Sequence, residues 1–189
     1  MAELFLHISV SLDGCIEDAQ GDIEWMTSDT SFDDYSTALL QSIDGMIFGR
    51  KSHALLAGFW PDAGKHPDAT PALVAQAELM NALPKYVLTH GTERTGWAHS
   101  HAITVDDVRG LTVTAARPLA VFAGASAAQA LLEQHLIDEV HLIQHPILVG
   151  GGTSLFARDG TRRTLSLVDT QRFPSGATLQ RYRIREGVR

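Results

Sequence analysis

Three short stretches combine the residue types that hold an anion. Gly49-Arg50-Lys51-Ser52 follows the apolar run Gly45–Phe48 and opens what reads as a helix. Helix N-termini favour acids, because the macrodipole leaves partial positive charge there; two cations at that end lower stability unless an anion joins them. Thr89-His90-Gly91 follows a second apolar run, and Gly124-Ala125-Ser126-Ala127 follows a third and opens another helix. Each stretch sets small residues or backbone N–H groups where a phosphate could approach. Glycine permits both the close approach and the turn. Two helix N-termini, an arginine and a hydroxyl-bearing loop together suit a ligand with more than one phosphate.

Rival phosphate motifs are missing. The chain has no GxxxxGK[ST], which excludes a P-loop hydrolase, and no GxGxxG after its first strand, which disfavours an ordinary dinucleotide fold. Gly150-Gly151-Gly152 opens no helix. For proton chemistry, Asp29 stands at a helix start with Phe32 one turn on; it is either a proton donor or substrate anchor, or simply the N-cap. Asp33 is the second choice, and Asp34 faces water. Trp25 walls a substrate pocket or belongs to the core, and Phe32 could stack on a flat ring. The nine histidines raise the question of a metal. His141 and His145 on one strand lie about 13 Å apart, too far to share an ion. His99 and His101 lie near no acidic or third ligand, so no functional metal is expected.

Certain elements must position these residues. Strands are expected at Leu4–Val10, Gly45–Phe48, Lys85–Thr89, Leu119–Phe122, Glu139–Gln144, Leu165–Arg172 and Thr178–Ile184. Phe32, Tyr35, Leu39 and Ile43 recur at helical spacing behind the capping residues Asp29, Thr30 and Ser31. Pro71 opens a second helix that ends before Pro84, and a third covers Ala127–His135. Alternating strands and helices imply a mostly parallel α/β sheet. The last two strands, joined by Phe173-Pro174-Ser175-Gly176, read as an antiparallel hairpin. The spans from Gly58 to Thr70 and from His90 to His101 read as surface loops.

The bulk numbers agree with a soluble α/β domain. The 189 residues, 44% hydrophobic and 20% charged, suit one domain with a sizeable core. A net charge of -7 speaks against nucleic acid. The arginines near the end, from Arg158 to Arg189, read as a solvated sheet face. One cysteine, Cys15, excludes an internal disulfide framework, fits a reducing cytoplasm and reads as a buried thiol. No segment is long and apolar enough for a membrane span or a secretion signal.

Several motifs together resemble a family. Ser11-Leu12-Asp13-Gly14, Trp25, Asp29, Gly49-Arg50-Lys51-Ser52 and Trp60-Pro61 resemble the dihydrofolate reductase-like superfamily. Leu136-Ile137-Asp138-Glu139 and Pro146 through Phe156 are similar to its riboflavin-biosynthesis branch, the C-terminal reductase domain of the bifunctional deaminase–reductase. The deaminase signature, H-x-E with a later C-x-x-C, is absent from this one-cysteine chain. The resemblance implies one reductase domain over 1–189, with a mixed, mostly parallel sheet flanked by helices and a C-terminal hairpin. It implies NADPH-dependent hydride transfer to a small heterocycle, pteridine-like or 5-amino-6-(5-phosphoribosylamino)uracil-like. It also implies Arg50 and Thr89 at the cofactor's 2′-phosphate, and Gly49, Lys51 and Ser52 at the phosphates of the helix start. Gly124, Ala125 and Ser126 would line the pyrophosphate, and Leu12, Asp13 and Gly14 the loop over the nicotinamide. A homodimer is the implied assembly. Ala125 stands where the family usually has a second glycine, and Ser52-His53 where Thr-Tyr is common. Two other functions fit the residues: a nucleotide-binding module without turnover, and a flavin enzyme of the same fold.

Overall fold

The computed structural model describes residues 1–89, 96–156 and 160–185. Among them run strands β1 (Leu4–Val10), β2 (Cys15–Glu17), β3 (Gly45–Gly49), β4 (Lys85–Leu88), β5 (Ser100–Ile103), β6 (Leu119–Phe122), β7 (Glu139–Gln144), β8 (Thr153–Ser154), β9 (Leu165–Arg172) and β10 (Thr178–Ile184). The helices are α1 (Thr30–Ser42), α2 (Arg50–Ala57), α3 (Trp60–Ala63), α4 (Pro71–Ala82), α5 (Asp107–Thr114) and α6 (Ala125–Glu133). Eight strands form one sheet in the order β5-β4-β3-β6-β1-β7-β10-β9, and β2 pairs with β8. Strands β1 and β3 to β7 are parallel neighbours; β10 and β9 close one edge as the expected antiparallel hairpin. The architecture is the mixed, mostly parallel α/β fold that the segment pattern implied.

Strand β1 shows how the sheet divides the core. Its side chains alternate between faces. Leu4, Leu6 and Val10 pack with Val108 of α5 and Ala128 and Leu131 of α6. Phe5 points the other way, into Leu39 and Leu40 of α1 and Met80 of α4. Local chemistry starts the helices as expected. Asp29 Oδ1 accepts the Phe32 N–H at 3.0 Å, and the Thr70 hydroxyl accepts the Leu73 N–H at 3.1 Å ahead of Pro71.

Several expectations are corrected. The span from Gly58 to Thr70 contains α3, and β5 begins inside the span from His90 to His101, of which 90–95 lie outside the described residues. β5 is an edge strand with exposed central residues, so it carries no apolar pattern. α5 is helical despite Val108, Gly110, Thr112 and Val113, because Val108 and Thr112 are buried by the sheet. The third helix starts at Ala125 rather than Ala127. The terminal arginines are not merely a solvated face. Arg181 and Arg183 reach from β10 to Glu139, which is fully buried on β7. Cys15 is buried, as expected.

Lys85 is also fully buried. Its Nζ donates to the carbonyls of Asn81 and Leu83 at the end of α4 and sits 4.7 Å above the Trp97 ring. Burial pushes its pKa down to about 8.

Candidate functional site

Strands β4, β3 and β6 are adjacent in the sheet, so the loops leaving them stand side by side. They open into a cavity of about 850 Å³. This is the carboxyl edge of a parallel sheet, where such folds bind ligands. Gly49, Arg50, Lys51, Ser52, Thr89, Gly124, Ala125 and Ser126 all line it. Residues from three sequence-distant stretches are thus brought to one wall.

Two helices begin at that wall. The N-caps of α2 and α6 are Gly49 and Gly124, and neither helix has a side-chain cap. N-terminal turns of this kind favour an anion, with the dipoles adding positive charge. The two turns are knitted together: the Gly124 N–H donates to the Ser52 hydroxyl at 2.9 Å. A Cβ on Gly49 would lie 3.0 Å from the Ala127 Cβ, so the close approach of β3 to α6 requires a glycine there. Ser52 therefore positions the second turn as well as lining the first.

Much of the remaining wall is apolar. Phe32, Leu39 and Leu40 come from α1, Met80 from α4, Trp60 from α3 and Phe122 from β6. Phe32 thus lines the cavity. Glu17 of β2 and Thr153 of β8 form a further stretch, with the Thr153 hydroxyl donating to Glu17 Oε1 at 2.5 Å.

Other expected site residues stand elsewhere. Asp29 is outside the cavity wall: one oxygen caps α1, and the other accepts the Ser175 N–H at 2.6 Å, tying α1 to the β9–β10 turn. Burial pushes its carboxyl up, but the hydrogen bonds from Ser175 and Phe32 win and hold it below its ordinary value. Asp29 thus caps α1 and ties it to the β9–β10 turn. Asp33 also lies off the wall; its carbonyl accepts from Gln76 Nε2, and burial followed by Asp29 and Asp34 raises its carboxyl pKa.

The loop after β1 is likewise displaced. Leu12 is 57% exposed, and its N–H donates to the Ile147 carbonyl. Asp13 accepts from the Ser11 hydroxyl and from the N–H groups of Val149 and Gly150. The Gly14 carbonyl accepts the Leu155 N–H. Leu12 and Asp13 tie the loop after β1 to the loop after β7, and Gly14 ties it to the residue that follows β8. Ile16 and Glu17, a few positions later, line the cavity instead. Trp25 packs edge-on against His145 at 5.7 Å and donates its indole N–H to the Asp22 carbonyl, away from the cavity.

The sequence reading missed His7, Glu17, Trp60 and Gln76 as cavity residues. His7 carried a signal: it is a polar residue in the otherwise apolar strand Leu4-Phe5-Leu6-His7-Ile8. Glu17 had none, because only the β2–β8 pairing brings it to the wall. Among the described residues, no cluster of three or more metal-ligating side chains exists. No helix among them is long and apolar enough to cross a membrane.

The chain is similar to solved structures and to a protein of known sequence over nearly its whole length. It is 30% identical over 180 residues to the uncharacterized protein YyaP of Bacillus subtilis (strain 168), covering 92% of this chain and 90% of that one. The crystal structure of a candidate riboflavin biosynthesis protein from Shewanella sp. PV-4 superposes with a TM-score of 0.74 at 23% identity, covering 98% of this chain and all (100%) of the other. Dihydrofolate reductase from Enterococcus faecalis, complexed with NADP(H), superposes with a TM-score of 0.61 at 13% identity, covering 97% of each chain. The family model of the RibD C-terminal domain matches residues 2–179, and the chain belongs to that family.

Proposed function

We propose that the protein is an NADPH-dependent oxidoreductase that reduces a small heterocyclic substrate by hydride transfer. One observation carries this reading: a single cavity joins two uncapped helix N-termini, with Arg50 and Lys51 beside them, to an apolar aromatic compartment. The first end suits a dinucleotide's phosphates, and the second suits flat rings. Membership of the RibD C-terminal domain family supports a reductase, and the related dihydrofolate reductase fold is known with NADP(H) bound. NADPH when bound supplies the hydride. The chain supplies the phosphate cradle, the orientation and the exclusion of water.

Fluorescence titrations with NADPH and NADH test the reading. Arg50→Ala weakens NADPH binding roughly tenfold to a hundredfold, the loss of one charge-assisted hydrogen bond of about 1.5–3 kcal/mol. Arginine's planar fork suits the 2′-phosphate, so the loss falls on NADPH and spares NADH. Equal losses for the two cofactors would remove Arg50 from the 2′-phosphate. No binding of either would sink the reductase reading.

The reading extends to a cytoplasmic homodimer. Edge strand β9 leaves Leu165, Leu167 and Val168 exposed beside unpaired backbone groups, and we place the contact between copies there. Sedimentation at micromolar concentration gives a dimer that Leu167→Lys dissociates; a monomeric wild type would refute the assembly.

A further inference from the structure

Among the described wall residues Glu17 is the one carboxylate, set against the cations Arg50 and Lys51 at the start of α2. Its Oε1 accepts the Thr153 hydroxyl, and its Oε2 has neither a hydrogen bond nor an ion pair among the described residues. A charge on a cavity wall is costly to hold unless something answers it. The backbone nevertheless fixes this one in place. Glu17 lies opposite Thr153 in the β2–β8 pair, and Gly152 passes so close behind that no Cβ fits between them. The preceding residue, Ile16, reaches the turn that opens α6: its Cδ1 lies 3.9 Å from where a Cβ on Gly124 would stand.

Strand order decides which end of a dinucleotide would meet Glu17. The sheet runs β5-β4-β3-β6-β1, and the two helices without side-chain caps follow β3 and β6. Thr89 and Thr104, which follow β4 and β5, line the wall on one side of that pair. Ile8 and Ser9 of β1 and Glu17 of β2 line it on the other. With phosphates at the two helix starts and Arg50 and Thr89 at the 2′-phosphate, the adenosine end lies toward β4. The opposite end then lies toward β1 and β2.

We infer that Glu17 is the electrostatic partner of the nicotinamide ring and favours its oxidised, cationic form over its reduced, neutral one. The inference rests on the reductase reading, in which NADPH supplies the hydride. Glu17 then faces a ring that is neutral before the hydride leaves for the substrate carbon and carries one positive charge afterwards. A carboxylate already held in place stabilises that charge as it develops, with no reorganisation at the moment of transfer. Thr153 positions the carboxylate through its hydroxyl.

NADPH is titrated by its fluorescence, and NADP+ by displacing it, into the wild type, Glu17→Gln and Asp18→Asn. The readout is the ratio of the two dissociation constants, which needs no substrate. Glu17→Gln keeps an oxygen for the Thr153 hydroxyl and loses the charge, so it shifts the ratio about tenfold toward NADPH. Asp18→Asn makes the same change in net charge one residue along and off the wall, and leaves the ratio unchanged. Its amide oxygen still accepts the Gln20 and Asp22 N–H groups that Asp18 Oδ1 accepts. A third ligand, 2′,5′-ADP, has the phosphate end without the nicotinamide; it binds wild type and Glu17→Gln alike, which also reports an intact fold.

A ratio that Glu17→Gln leaves at the wild-type value overturns the inference. So does an equal shift in Asp18→Asn, which would reduce the effect to net charge. Tighter 2′,5′-ADP binding in Glu17→Gln would set Glu17 against the phosphates and overturn it too. The parent proposal is read separately: a wild type that binds neither NADPH nor NADP+ removes the reductase reading together with the inference, whereas NADPH binding with an unmoved ratio removes the inference alone.

Discussion

Gly152→Ala destabilises the protein by about 3 kcal/mol, summing a backbone strain and an overpacking term of roughly 1–3 kcal/mol each. Gly152 has φ +133°, a conformation essentially reserved for glycine. A Cβ there would lie 2.0 Å from the Glu17 carbonyl oxygen and 2.8 Å from the Asp18 carbonyl carbon. Both atoms are backbone, so no side chain can swing aside. The strands themselves must part, and β2–β8 is the pair that holds Glu17 and Thr153 on the cavity wall. On the proposed reading the variant also binds NADPH more weakly, although it lies outside the turns that open α2 and α6. Gly151→Ala is the control, since a Cβ at Gly151 meets nothing within 4 Å. Thermal melting of the two variants checks the contrast; equal melting temperatures would mean that the backbones at 152 and 17 do not meet this closely.

Glu139→Gln produces the second large effect, a loss of about 2–3 kcal/mol. The Glu139 side chain is fully buried; Arg183 Nη2 donates to Oε1 at 2.6 Å and Arg181 Nη2 to Oε2 at 3.2 Å, with His141 Nε2 3.3 Å away. Removing the charge strands these donors. The loss stays below the roughly 3–5 kcal/mol of a fully sealed pair, because Arg183 is 63% exposed and rehydrates. The pH dependence follows the same carboxylate. Burial pushes it up, but the hydrogen bonds from Arg183, His141 and Arg181 prevail and hold it below its ordinary 4.5. A folded-state pKa below the unfolded one gives stability that is complete above about 4.5 and lost as pH falls through the folded value. Wild-type melting temperatures therefore drop on acidification below that point, and the Glu139→Gln curve is flatter there. Parallel curves would assign the acid transition to other carboxylates.

The cavity wall shows which parts of the site were legible. The three stretches at the cavity wall could be read because each carries its chemistry locally: a glycine turn, a helix start and, at Arg50, a charge in a place that helix electrostatics disfavours. Phe32 could be read from its helical spacing. Asp29 illustrates the opposite case. An acid ahead of a helix has the same local signature whether it caps or catalyses, and only the Ser175 N–H from a turn 146 positions away settles its engagement here. Glu139 and the arginines of β10 were equally opaque, since the register of an antiparallel pair decides whether a charged strand faces water or a buried partner.

The sequence by itself determined the fold class, the strand and helix alternation, the terminal hairpin and the glycine turns that open α2 and α6. Those properties arise from contacts within a few residues and from the period of the apolar pattern, both written along the chain. Tertiary structure alone decided which loops adjoin, because strand order is a long-range property: β3 lies beside β4 on one side and β6 on the other. It also decided that Glu17 and Thr153 meet across β2 and β8 and that Leu12, Asp13 and Gly14 serve as a tie between loops. And it decided that His7 lines the cavity with a buried ring nitrogen that has no hydrogen-bond partner among the described residues. No local preference specifies such pairings; they are set where the chain, closing one common core, brings distant backbone and side-chain groups within hydrogen-bond reach.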